Sequence, residues 1–195
     1  MPSHDKITQM KKFSLVICLF LSTIVSLNAN VNFQNANASN SAGLIVEAKK
    51  EVNPLNKNVV DVIETKYPNG NIWFRRRYEN NRQEGVSREY YENGNLKVEA
   101  NFIKGNLDGV VKYYYDNGKL KAEIEHKNNV PNGIAKIYNE DGAVFGEFQY
   151  KDGKFDGACK EFYTNGKIKN EYMYANGKIV KTKAFDDFGK LKYEK

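Results

Sequence analysis

Glycine recurs along most of this chain with a fixed period, and no other feature limits its fold as tightly. Gly70, Gly94, Gly118, Gly142 and Gly166 stand 24 residues apart, and so do Gly85, Gly109, Gly133 and Gly157. A constant period in this range marks a repeat architecture: one unit cannot bury its own apolar face, so neighbouring units must stack. The spacing therefore outweighs any domain count drawn from the length of 195 residues.

Within each period the turn chemistry assigns the elements. Asn93-Gly94, Asn117-Gly118, Asp141-Gly142 and Asn165-Gly166 supply the positive backbone dihedrals of tight hairpin turns and stand between alternating apolar and polar runs. Longer loops, Lys104 to Gly109, 127 to 133 and 151 to 157, reverse the chain in between. With a reversal about every 12 residues, the unit is one antiparallel strand pair. The expected fold class is all-β: an elongated single-layer antiparallel meander of β-hairpins, about five repeats long.

Register follows from treating Asn93-Gly94 as a hairpin centre, so that facing residues have numbers summing to 187, then 211 and 235 across the next two reversals. Lys112 then lies between Glu99 and Glu123, Lys136 between Glu123 and Glu147, and Lys160 between Glu147 and Glu171. Opposite charges directly across strands stabilise by about 0.2–1 kcal/mol per pair and penalise a slipped register.

The two faces of such a sheet differ. Leu96, Val98, Ala100 and Phe102 point one way, joined by Val111, Tyr113, Tyr115, Leu120, Ala122 and Ile124. An exposed apolar face of this length is an interface candidate and allows self-association. The other face carries the Glu and Lys ladder with a column of Tyr90, Tyr114, Tyr138 and Phe162 among Lys97, Lys121 and Lys169. These seven residues form the candidate binding stripe. The competing reading, favoured from sequence, makes the rings struts that shield backbone hydrogen bonds.

The first 57 residues differ in character. Met10 to Ala29 holds two lysines, an apolar run of about 13 residues from Phe13 to Val25, and a polar step, which is the pattern of a signal peptide cleaved after Ala29. A bilayer span needs about 20 residues. The alternatives are a retained anchor and lipidation at Cys18, the latter disfavoured by Ile17 just before it. Residues 30–57 are rich in Asn, Ala and Ser and read as a low-complexity linker, with Leu44 to Val52 able to form a short helix or strand. The repeat domain spans 58–195. Asn37-Ala38-Ser39 forms a glycosylation sequon that chance explains in so Asn-rich a stretch.

Charge and chemistry narrow the function classes. The formal net charge is +6, of which Asp5, Lys6, Lys11 and Lys12 supply +2, leaving +4 for the remainder. Lysines that alternate with glutamates are a solvated surface, and no nucleic-acid partner is expected. After processing only Cys159 remains, so no intrachain disulfide forms. His126 occupies a slot filled elsewhere by Phe102, Tyr150 and Tyr174, which makes it a repeat-position substitute. Asp152 and Asp156 lack a calcium ligand set, and turn chemistry explains both. No catalytic, cofactor-binding or metal residue is assigned.

The unit Y-x-x-N-G-x-L-K-x-E-x-x-F-x-x-G-x-x-D-G-x-x-K-x-Y-Y, read from Tyr90 to Tyr114, resembles the bacterial variant of the MORN repeat. The resemblance covers about Val62 to Lys195 and implies a single-layer antiparallel sheet. It also implies, as a candidate, an antitoxin of the YwqK type. MORN repeats accompany lipid kinases in some proteins, but no Gly-rich phosphate loop is present and the string Asp187-Phe188-Gly189 stands without the other kinase motifs, so kinase activity does not carry over. The expected function is that of an exported, non-enzymatic binding or scaffold module in the cell envelope, periplasmic or envelope-associated, with a protein or envelope component as partner. The alternatives are an antitoxin that occludes a partner toxin and a membrane-surface module held by its mild basicity.

Overall fold

The computed structural model describes residues 45–52 and 58–195. The signal peptide, its cleavage site, the sequon and the remaining linker residues lie outside the described residues. Every regular element described is a strand: β1 (Ile45–Val52), β2 (Val59–Lys66), β3 (Ile72–Glu79), β4 (Arg82–Gln83), β5 (Gly85–Tyr90), β6 (Leu96–Ile103), β7 (Asn106–Leu107) and β8 (Gly109–Tyr114). There follow β9 (Leu120–Lys127), β10 (Val130–Tyr138), β11 (Val144–Lys151), β12 (Lys154–Phe155), β13 (Gly157–Phe162), β14 (Ile168–Ala175), β15 (Lys178–Phe185) and β16 (Leu191–Glu194).

These strands make one open antiparallel sheet in chain order, the expected meander. The short β4, β7 and β12 pair back onto β3, β6 and β11 and lead into β5, β8 and β13, whereas β10 makes the equivalent pass as one strand. At each break a backbone amide keeps its bond: Glu84 N donates to Arg77 O, Asp108 N to Asn101 O and Asp156 N to Gln149 O, each at 3.0 Å. The glycine after each break takes a positive φ, and at Gly157 the missing side chain is needed as well. Gly157 has φ +102°, and a Cβ there would lie 2.2 Å from the Gln149 amide oxygen, which folds across it. Within the stretch read as linker, Ile45–Val52 is a strand that pairs with β2 along its whole length.

The observed register follows the expected charge pairing. Arg88 faces Glu99, Glu99 faces Lys112, Lys112 faces Glu123, and the ladder continues through Lys136, Glu147 and Lys160 to Glu171. It extends beyond the expected stretch to Lys183 and Glu194 at one end and Glu64 and Arg75 at the other. Two junctions depart from alternation: Arg75 faces Arg88, and Glu64 faces Glu47.

The sequence register fails beside the tight turns. A constant sum pairs Leu96 with Tyr91, but Leu96 pairs with Tyr90 and Leu120 with Tyr114, because the register shifts between Glu89 and Tyr90 and between Tyr113 and Tyr114. The extra residue beside each tight turn is Trp73, Lys97, Lys121, Phe145, Lys169 or Lys192. A β-bulge re-aims the side chain it inserts. Leu96 and Leu120 therefore leave the apolar row in which alternation had put them.

The apolar face is buried within the chain through its central strands: Val98, Val111, Ala122 and Phe102 are each 0% exposed. Volumes compensate along this face. Val98 precedes Ala100, Ala122 precedes Ile124, and Gly146 precedes Phe148, so the second residue grows as the first shrinks. The Phe148 ring fills the space a side chain would take at Gly146, where a Cβ would sit 2.7 Å from two ring carbons. An aromatic ring laid over a strand glycine restores packing that the glycine cannot supply. At the β3–β5 end the same face is polar: Arg76, Gln83, Ser87 and Glu89 are all buried, and Gln83 Nε2 donates to Ser87 Oγ at 2.8 Å.

Candidate functional site

With the apolar face internal, the candidate surface is the charged one. Its central row is the ladder, whose ion pairs include Arg88–Glu99 at 2.8 Å, Lys136–Glu147 at 3.3 Å and Lys112–Glu123 at 3.9 Å. These groups are partly exposed, so each pair contributes a fraction of a kcal/mol and serves register more than stability. At the arginine junction, Arg75 is held by Glu64 at 2.7 Å and Glu51 at 2.6 Å, which offsets the cation opposite.

One flank of the ladder carries the aromatic column. Tyr90, Tyr114, Tyr138 and Phe162 alternate with Arg88, Lys112, Lys136 and Lys160 and are each half-buried. Tyr138 Oη donates to Glu123 Oε2 at 3.0 Å. Burial, then that hydrogen bond, raises the Tyr138 hydroxyl above its ordinary range. Burial likewise raises Tyr114, with the charge of Glu99 adding to it. Four of the seven expected stripe residues thus share a face with the ladder, and Tyr138 bonds to it.

The lysines of the stripe stand apart from that column. Lys97, Lys121 and Lys169 are bulge residues whose ammonium groups lie 5.7, 5.2 and 5.7 Å from the ring centroids of Tyr91, Tyr115 and Tyr163. Lys97 also pairs at 2.6 Å with Glu89, a residue of the buried face. Lys169 lies close enough to Glu161 to oppose the burial that pushes that carboxyl up. The inserted residue has turned these lysines onto the turn tyrosines.

Those tyrosines join one repeat to the next. Tyr67 Oη donates to Tyr90 O at 2.9 Å, Tyr91 Oη to Tyr114 O at 2.8 Å, Tyr115 Oη to Tyr138 O at 2.8 Å and Tyr163 Oη to Phe185 O at 2.9 Å. Here the strut reading holds for a different ring from the one expected: the tyrosine after Tyr90, Tyr114 and Phe162 makes the link, whereas Asn139 follows Tyr138.

The ladder's other flank went unread in the sequence. Val86, Val110 and Ile134 recur at the repeat spacing, two residues before Arg88, Lys112 and Lys136, and are 36%, 44% and 48% exposed. The polar residues opposite them lie low, since Asn101 Nδ2 donates to Asp108 O at 3.1 Å and Glu125 and Gln149 fold over Gly133 and Gly157. The aliphatic row therefore stands proud of its surroundings. Its signal was the same 24-residue spacing that revealed the ladder.

The groups that bear on chemistry are internal. Cys159 is buried, and burial pushes its thiol up to about 11, so it stays protonated at neutral pH. His126 is buried in the aromatic row, with Nδ1 3.0 Å from Ile124 O and Nε2 without a hydrogen-bond partner, and burial lowers its pKa. Asp152 Oδ1 accepts from Asn132 and Asp156 Oδ2 from the Asn176 amide, which are loop contacts. Among the described residues no three His, Cys, Asp or Glu side chains gather into a metal site.

No curated protein matches the chain. The structure called "Crystal Structure of TarM" is similar at 18% identity and a TM-score of 0.35 over 50% of this chain, which spans only 19% of that one. The family model described as MORN repeat variant matches residues 83–104, 107–128, 131–152 and 155–176. Each match runs from one leading strand pass to the end of the next, in step with the hairpins of the sheet. Between residues 83 and 176 the chain thus carries four tandem stretches that match the MORN repeat variant.

Proposed function

We propose that this protein is an exported, non-enzymatic scaffold whose charged face binds a partner protein of the cell envelope. The observation that carries this reading is the composition of that face: a row of opposite charges between an aromatic column (Tyr90, Tyr114, Tyr138, Phe162) and an exposed aliphatic row (Val86, Val110, Ile134). Protein interfaces use aromatic and aliphatic anchors beside charges that remain at a solvated rim. Three positions repeated along the sheet give several weak contacts that act together on one partner. Export is supported by the lysine-flanked apolar run ahead of Ala29.

The test pairs capture with fractionation. Cross-linking in intact cells followed by affinity purification is expected to retain a partner on the native chain. It should lose that partner with Tyr114→Ala, Tyr138→Ala and Phe162→Ala combined, or with Val110→Lys and Ile134→Lys combined, while circular dichroism stays unchanged. Retention by both folded variants overturns the charged face as the binding surface. Sequencing the mature N-terminus from the envelope fraction is expected to begin at Asn30. A chain found only in the cytoplasm, relieving the toxicity of a captured protein, would replace this reading with the antitoxin one.

A further inference from the structure

The tight turns that punctuate the array hold four Asn-Gly pairs, at Asn69, Asn93, Asn117 and Asn165, in one conformation. In each, the Asn Oδ1 accepts from the amide two residues on: Asn71 N at 2.9 Å, Asn95 N at 2.9 Å, Lys119 N at 3.0 Å and Lys167 N at 3.0 Å. The glycine amide donates back to the turn tyrosine, as Gly118 N does to Tyr115 O at 2.9 Å. The four differ at the other end of the side chain. Asn69 Nδ2 donates to Glu92 O at 3.1 Å, Asn93 Nδ2 to Asp116 O at 3.0 Å and Asn165 Nδ2 to Asp187 O at 2.9 Å, each in the next turn. The carbonyl that corresponds for Asn117 is Glu140 O, which accepts from Lys119 Nζ at 2.7 Å; Glu92 O and Asp116 O accept from Asn71 Nδ2 at 2.8 Å and Asn95 Nδ2 at 2.7 Å in addition to Asn69 and Asn93. Asn117 is exposed, and its Nδ2 reaches no carbonyl of the next turn.

We propose that Asn117 is a site of selective deamidation. The step needs water alone. The Gly118 nitrogen, giving up its proton to solvent, bonds to Cγ of Asn117; the Cγ–N bond breaks and ammonia leaves. Water then opens the cyclic imide to an aspartyl or isoaspartyl residue, so that amide and water become acid and ammonia. Glycine favours the closure because no Cβ crowds the attacking nitrogen. To bring Cγ to that nitrogen the side chain must rotate out of its turn. Asn69, Asn93 and Asn165 must then also break a bond to the next repeat, whereas Asn117 breaks only the local one. One hydrogen bond of ordinary strength separates the rates by roughly three- to tenfold.

The array already shows that the aspartyl product is tolerated. Asp141 fills the same turn position, and its Oδ1 accepts from Ala143 N at 2.8 Å as the asparagines do. The oxygen role survives the change, and Asn117 has no Nδ2 link to lose. The Asn-Gly pair at Asn176 lies in a different loop, where the Gly177 amide donates to Phe155 O of the preceding repeat at 2.8 Å and the Gly118 amide donates within its own turn to Tyr115 O at 2.9 Å; either bond must open before the nitrogen attacks.

Peptide mapping of the full chain, aged in heavy-oxygen water at mildly alkaline pH, tests this. The Asn117 peptide is expected to take up label roughly three- to tenfold faster than those holding Asn69, Asn93 and Asn165. In urea the four rates should converge. Lys119→Asn, which restores the residue found at Asn71 and Asn95, should slow Asn117 to the level of the others. Equal rates in the folded chain, a faster Asn93, or an unchanged order in urea would each overturn the proposal. Asn117→Asp is expected to leave the thermal midpoint unchanged and Asn93→Asp to lower it; the reverse would overturn the account of which turn tolerates the product.

Discussion

Gly146 shows how much one absent methyl can decide. Gly146→Ala drives a Cβ into the Phe148 ring and to 3.1 Å from the Lys160 carbonyl oxygen, a backbone atom that cannot yield as a side-chain tip would. Overpacking of this kind costs about 1–3 kcal/mol. Urea denaturation should register that loss for the single variant, and Phe148→Leu added to it should recover part. A double variant no more stable than the single would mean that the ring is not the obstacle. His126 carries a second prediction at this scale. Its folded-state pKa lies below the unfolded value of about 6.5, so the neutral ring is the form the fold accepts. Stability is complete above the unfolded pKa and falls as pH drops from there towards the lowered value. His126→Phe, the residue at the equivalent Phe102, should flatten the urea midpoint between about pH 7 and pH 5. Both residues are readable as positions in a 24-residue grid. Neither the clash nor the buried Nε2 is, because each depends on how closely a neighbour approaches.

At the scale of the strand and hairpin, the ladder was legible and the bulge was not. Charges at Lys112, Glu123 and Lys136 report register because their pairing is insensitive to what happens at the turn. The bulge adds one residue next to every tight turn, and a strict period absorbs a constant addition without trace. Its effect appears only in direction: Lys97 reaches Glu89 and Tyr91, away from the ladder. The candidate stripe was therefore half legible, its aromatic column on the expected face and its lysines displaced from it. Glu123→Lys tests the ladder, since it sets a cation between Lys112 and Lys136. Two reversed cross-strand pairs predict a loss of about 0.5–2 kcal/mol, screened by salt. Because Lys112 and Lys136 also face Glu99 and Glu147, adding Lys112→Glu and Lys136→Glu should move the clashes outward without recovering the loss, and a salt-independent loss would point to packing instead.

Across the sheet, protection is uneven. The rows buried in β6 to β11 give way to half-exposed ones in β14 and β15, and β16 is exposed throughout. In an array where each hairpin leans on its neighbours, opening follows this gradient. Hydrogen exchange should find the β6 to β11 amides slowest and those of β14 to β16 faster by orders of magnitude; a uniform profile would mean that the array opens as one unit. The fold class was readable because turn chemistry and period agree at every reversal. The uneven burial was not, since the repeats look alike in sequence while their neighbours differ. The facing pair Arg75 and Arg88 divides the sheet in another sense. Beyond Arg88 each 24-residue block ends with the charge the next one needs, so copying or deleting a whole block there keeps every acid opposite a base. A copy that spans the arginine pair carries a second cation clash with it, for which the chain would need another Glu51 and Glu64. Whole-block copying therefore leaves the charge pairing intact as long as the copied block does not include both arginines of that pair.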